Sequence, residues 1–197
     1  MTGINLILAG GGIRFSAYIG ALYALKEKNI KINKIVGVSG GSIISSLYAG
    51  GHSLEKLKKL MLDTDFRKFK DFSFISLLTG MGIYKGAQFE KWIDKELGGK
   101  KFSDNFTIDH YVVATDIVRA RPVIFSKKSF PNVKVSKAVR FSVGIPMFYA
   151  YKKFPLSKDE YGIMVDGNLA TFTVESMFSD DETKTLTLRL ATSKSDI

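Results

Sequence analysis

Ile35-Val36-Gly37-Val38-Ser39-Gly40-Gly41-Ser42 is the stretch on which the fold turns. A short apolar run rich in β-branched residues ends at a serine, with glycine two places before it and glycine one and two places after. This is the G-x-S-x-G pattern of a sharp strand-to-helix turn that projects a nucleophile. Side chains at Gly37, Gly40 and Gly41 would keep the strand and helix from passing closely, and Ser39 is held in a strained backbone conformation. The small-residue run Ile43-Ile44-Ser45-Ser46-Leu47-Tyr48-Ala49 continues as the helix. The pentapeptide alone is a weak signal, because glycine-rich turns are common where strands meet helices. Its neighbours strengthen it.

Upstream, residues 4–9 form an apolar run of strand length, followed by Gly10-Gly11-Gly12-Ile13-Arg14. Phe15, Tyr18, Ile19, Leu22 and Leu25 then recur at helical spacing. The order strand, glycine loop, helix, strand, tight turn, helix predicts an α/β fold with a mostly parallel sheet and right-handed crossovers. Downstream, Ser53 is placed to cap a helix carrying Leu54, Leu57, Leu60 and Met61. Further helices are expected over 85–97, with Trp92 in the core, and over 135–143. Strands are expected at 111–115, 122–125, 162–165 and 185–190. No linker divides the 197 residues, which are read as one domain.

Composition narrows the classes. Cysteine is absent, so disulfide frameworks and cysteine-based zinc sites are excluded, and a reducing compartment fits. The expected location is cytoplasmic, with peripheral contact at membranes. The N-terminus reads as a first strand rather than a signal peptide, and no apolar run has the length of a membrane span. The formal net charge of +10 favours a polyanionic partner, whether nucleic acid or an anionic lipid surface.

Acyl transfer by a serine needs a base and oxyanion donors besides the nucleophile. The glycine loop can supply donors. A dinucleotide-binding fingerprint would need glycine where Phe15 stands, and no Gly-Lys-Ser/Thr completes a phosphate loop. The base is not an obvious histidine: the chain has only His52 and His110, neither near the C-terminal end where the Ser–Asp–His order would put one. Asp166, at a predicted strand end and followed by Gly167, is the economical partner for Ser39. Asp116, at another strand end, competes with it, and its bland role is to order a loop.

Three ordered motifs now coincide: Gly10 to Arg14, Gly37 to Gly41, and Asp166-Gly167-Asn168. Together with Val113-Ala114-Thr115-Asp116, the segment from Ala138 to Phe148 with its small residues and then Ile145-Pro146-Met147-Phe148, and Gly82-Ile83-Tyr84-Lys85-Gly86, they resemble the patatin-like phospholipase family through almost the whole chain. Phe15 and Asn168 stand where that family usually has glycine, and glycine or alanine. The resemblance implies a three-layer α/β domain. It also implies a metal- and cofactor-free lipid acyl hydrolase with a Ser39–Asp166 dyad. Gly10, Gly11, Gly12 and Ile13 would form the oxyanion segment, with Arg14 positioning that loop. The substrate would be a phospholipid or other lipid ester.

Residues 63–83 interleave Phe66, Phe69, Phe72 and Phe74 with Arg67, Lys68 and Lys70, which suits a lid or membrane-facing segment; the bland alternative is core filling. Such mixing also suits single-stranded nucleic acid, but Ser39 and Asp166 would then have no purpose, so no nucleic-acid partner is expected. Two rivals remain: a soluble esterase or thioesterase using the same dyad, and a non-catalytic lipid- or nucleotide-binding module.

Overall fold

A computed structural model describes residues 3–71, 83–169, 174–179 and 182–190. The strands are β1 (Ile4–Leu8), β2 (Ile32–Val38), β3 (Asp109–Asp116), β4 (Arg121–Phe125), β5 (Lys152–Pro155), β6 (Tyr161–Val165) and β7 (Thr185–Leu188). Among the described residues the helices are α1 (Ala17–Glu27), α2 (Gly40–Ala49), α3 (Leu54–Asp63), α4 (Ala87–Glu96) and α5 (Val135–Ser142). Short 3-10 turns occupy Gly12–Arg14, Phe66–Phe69 and Glu175–Phe178. The first helix therefore starts later than the spacing from Phe15 suggests, because the glycine loop tightens into a 3-10 turn first. Ser53 does cap α3: its Oγ accepts the Lys56 N–H at 3.1 Å.

All strands join one sheet in the order β5-β6-β3-β2-β1-β7, with β4 also paired to β3. The run β3-β2-β1-β7 is parallel, as the sequence order predicts. The β4, β6 and β5 pairings are antiparallel, an extension the hydrophobic pattern does not reveal. Its placement decides the site. β4 lines one edge of β3 along Val112–Asp116, while β2 pairs Val38 with Val113 on the other edge. β6 pairs Val165 with Thr115 and Met164 with Asp116. It must therefore share the edge used by β2, beyond the point where β2 ends. The two strands run head-on toward each other, and the residues just after Val38 and just after Val165 meet across a gap about one residue wide.

Residues from all five helices pack on one sheet face, around Leu6, Leu8, Ile35, Val112 and Ala114. The opposite face, with Ile7, Val36, Val38 and Val113, is covered among the described residues by Val174 and Phe178. α2 lies closest to the sheet. Every residue of it except Tyr48 is buried, and its serines and glycines make that approach possible. No helix of the described residues is long and apolar enough to cross a membrane.

Candidate active site

Ser39 sits between β2 and α2 with φ 50° and ψ −129°, outside the conformations that side-chain-bearing residues ordinarily adopt. Such a backbone costs about 1–3 kcal/mol and survives only where its surroundings enforce it. They do so here through contacts at both glycine flanks. A Cβ at Gly37 would be driven into Ser45 Oγ and the Ser42 backbone, and one at Gly41 into the Leu8 carbonyl. A Cβ at Gly40 would lie 2.7 Å from Phe15 Cβ. Val38, fully buried, anchors the strand side of the turn.

A further anchor has no sequence signature. The Ser39 N–H donates to Ser142 Oγ at 2.8 Å, and the Ser142 hydroxyl donates to the Val113 carbonyl at 2.6 Å. Ser142, the last residue of α5, thus clamps the turn to β3. Ser42 adds a local bond from its Oγ to the Ser39 carbonyl at 2.6 Å.

Asp166 emerges from the end of β6 into the gap beyond β2. Ser39 Oγ donates to Asp166 Oδ2 at 2.7 Å, and the Asn168 N–H donates to Oδ1 at 2.8 Å. The Asp166 N–H is held by the Gly144 carbonyl at 2.9 Å. Both members of the pair are buried. Burial pushes the Asp166 carboxyl above the usual carboxylate range, opposed by the Ser39 and Asn168 donors. Gly167 crosses β3 so closely that a Cβ would run into the Val113 carbonyl. The Ser142 hydroxyl, the Gly167 backbone and β2 thus all converge on Val113.

The glycine loop borders this pair. The Gly12 carbonyl lies 3.0 Å from the position of a Cβ on Gly40, so the loop touches the turn after Ser39. Gly12 takes φ +52° with open space beside it, a conformation suited to glycine. Gly10 faces the Asn168 side chain, where a Cβ would lie 2.6 Å from its Oδ1, and Gly11 faces Leu190. Ile13 and Arg14 are exposed on the 3-10 turn, where the Arg14 N–H donates to the Gly11 carbonyl. Two residues outside the expected set fix the loop. The Tyr18 hydroxyl donates to the Ala9 carbonyl at 2.8 Å, and burial raises its pKa to about 12. Phe15 wedges against Gly40 and meets the Phe66 ring edge-on at 5.5 Å.

Other candidates lie elsewhere. His110, at the start of β3, bonds Ser46 through Nε2 at 3.1 Å and stacks on Phe102, and burial lowers its pKa to about 3. His52 follows α2, whose ten residues put it about 15 Å from Ser39; there it faces Glu96. The Asp116 carboxylate accepts from Arg119 Nη1 at 2.9 Å and from the Val118 and Ile163 N–H groups, so it orders the β3–β4 turn. Of residues 63–83, positions 72–82 lie outside the described residues. In the described part, the Phe66 and Phe69 rings pack inward against Phe15, Phe89 and Trp92, while Arg67, Lys68 and Lys70 face water. No group of three His, Asp or Glu that could hold a metal occurs among the described residues.

A family model for patatin-like phospholipase matches residues 6–176. An uncharacterised protein of Acanthamoeba polyphaga mimivirus is 33% identical over 95% of this chain and 65% of its own length. A probable lipid hydrolase of Invertebrate iridescent virus 6 is 25% identical over 76% of this chain and 56% of its own length. The chain thus spans 65% and 56% of these two relatives. Among solved structures, VipD from Legionella pneumophila superposes with a TM-score of 0.68 over 85% of this chain and 46% of VipD, at 15% identity, a likeness of fold.

Proposed function

The chain belongs to the patatin-like phospholipase family, and from that premise we propose that it hydrolyses carboxylic esters of phospholipids or lysophospholipids through Ser39 and Asp166. The observation that carries the proposal is the 2.7 Å bond from Ser39 Oγ to Asp166 Oδ2, at a strained turn and between two buried side chains. A relative named a probable lipid hydrolase supports the substrate class. The whole chain, residues 1–197, is taken as the catalytic unit.

In the proposed reaction Asp166 takes the Ser39 proton as Oγ attacks the ester carbonyl. A carboxylate with a raised pKa is a stronger base, which suits it to a hydroxyl. The negative charge that develops on the carbonyl oxygen is held by N–H groups of Gly11 and Gly12, with the positive end of α2 behind them. Asp166 returns its proton to the departing alcohol, leaving an acyl group on Ser39. Water then attacks the acyl carbonyl as Asp166 accepts its proton, and Asp166 returns that proton to Ser39 Oγ as the fatty acid leaves. The Asn168 N–H keeps Oδ1 oriented, so Oδ2 stays aimed at Ser39 throughout.

Stoichiometric labelling by a fluorophosphonate tests the nucleophile. The expected result is one label per chain, mapped to Ser39 and lost in Ser39→Ala. Labelling that persists in Ser39→Ala would refute the assignment. Faster turnover above the aggregation threshold of a lysophospholipid is expected of a lipid hydrolase, and turnover confined to monomeric short esters would point to the soluble esterase instead.

A further inference from the structure

Around the mouth of the dyad stand apolar side chains that packing does not use. Ile13 is 96% exposed, Met147 75%, Phe148 56%, Leu169 56% and Ile145 45%. Single exposed apolar residues are ordinary on any protein, and only their convergence is informative. These five come from three separate segments, each tied to the reacting pair. Ile13 follows Gly12, whose carbonyl abuts the turn at Gly40. Ile145 follows Gly144, whose carbonyl holds the Asp166 N–H at 2.9 Å, and Met147 and Phe148 lie two and three residues further on. The Leu169 N–H donates to the Asp166 carbonyl at 3.3 Å.

The backbone of this rim is fixed even though its side chains are not covered. The Ile83 N–H donates to the Met147 and Phe148 carbonyls, and the Tyr84 N–H to the Phe148 carbonyl at 2.8 Å. Met147 also holds φ +70°. A methionine in that region is strained, and here neither burial nor packing of the side chain offsets the strain. A rigid apolar rim on a chain of net charge +10 is complementary to one environment above others, an anionic lipid–water interface. There cations meet headgroups and apolar side chains enter the acyl boundary.

We propose that Ile13, Ile145, Met147, Phe148 and Leu169 form the surface by which the protein docks, dyad downward, on an anionic lipid surface. This rests on the lipid-ester function proposed for the same site and gives it a geometry: a lipid reaches Ser39 from the membrane without crossing open water. It also moves the membrane contact away from Phe66 and Phe69, whose rings are spent inside.

The test reads binding rather than turnover. The 197-residue chain carrying Ser39→Ala is sedimented with vesicles of phosphatidylcholine containing a minority of phosphatidylserine, alone and with Met147→Asn and Phe148→Gln added. Asparagine tolerates positive φ better than methionine, so Met147→Asn should keep or raise Tm while removing an apolar contact. Partitioning is expected to fall about tenfold or more in the double variant, or about 1.4 kcal/mol. Equal partitioning of the double variant, or no binding by the parent, overturns the proposal. So does a parent dimer that the substitutions convert to monomer while vesicle binding stays the same, since the rim would then pair with a second copy. Failure of the catalytic assignment reads out separately, as ester hydrolysis that survives Ser39→Ala.

Discussion

Ser142→Ala removes one oxygen and breaks two buried hydrogen bonds. The Ser39 N–H loses its acceptor at 2.8 Å and the Val113 carbonyl loses its donor at 2.6 Å. Ser142 is fully buried, so neither partner recovers a bond to bulk water. Leaving a buried polar group unpaired costs about 1–3 kcal/mol, so the pair should lower stability by about 2–6 kcal/mol. For a chain of this size that corresponds to a Tm lower by about 4–24 °C. The Ser39 backbone is strained, and with its N–H released the turn should relax toward ordinary φ, drawing Oγ away from Asp166. A displacement of that kind costs about tenfold to a hundredfold in rate. The assay pairs urea denaturation with steady-state kinetics on a soluble ester. A positioning role predicts that kcat falls while KM changes little, and that the acid limb of the pH profile moves upward, because Asp166 loses the Ser39 donor that opposes its raised pKa. Loss of stability below about 1 kcal/mol with unaltered kcat would refute the clamp.

Further predictions concern charge and capping. Burial raises the Asp166 pKa, so kcat/KM should fall on the acid side with a midpoint above that of an ordinary carboxylate; a midpoint at or below the ordinary value would contradict its role as base. The native protein holds that proton in a window where the unfolded chain releases it. The stabilisation is therefore complete below the unfolded pKa and is lost as pH rises through the folded one. Asp166→Asn should accordingly keep or raise Tm at neutral pH while losing activity, measured by thermal unfolding at several pH values. The Asp71 carboxylate accepts from the Gly86, Ala87 and Gln88 N–H groups at the start of α4. Asp71→Ala should cost about 1–2 kcal/mol in urea denaturation, and a cost near zero would mean that water replaces the cap.

Much of the fold was legible because its decisive signals are local. The run into Gly37-Val38-Ser39-Gly40-Gly41 needs no distant partner to be read as a strand and a tight turn, and the glycine loop after β1 likewise carries its own punctuation. Asp166 was legible as a strand end. What brings it to Ser39 was not: β6 runs antiparallel along the edge of β3 vacated by β2, and strand direction leaves no trace in an apolar run such as Gly162-Ile163-Met164-Val165. β5 was missed because Lys152-Lys153-Phe154-Pro155 buries only Phe154 and so shows little alternation. Ser142 was hidden for another reason: a serine near the end of a helix looks like any surface serine until Val113 and Ser39 are placed on either side of it. The aromatic and basic residues over 66–70 could be arranged either way by composition alone. Proximity of Phe15 and Trp92, which no spacing rule supplies, turns the Phe66 and Phe69 rings inward. Phe15 itself, a departure at the glycine loop, links that loop to the ring cluster.

The most direct measurement is fatty acid release from mixed phospholipid vesicles by the wild-type chain, Ser39→Ala and Asp166→Asn, each confirmed folded, with and without EDTA. The proposed dyad predicts release by the wild type that EDTA leaves unchanged, and loss in both variants to about a thousandth or less, the scale of removing a member of a catalytic unit. Release by Ser39→Ala at the wild-type rate would contradict it.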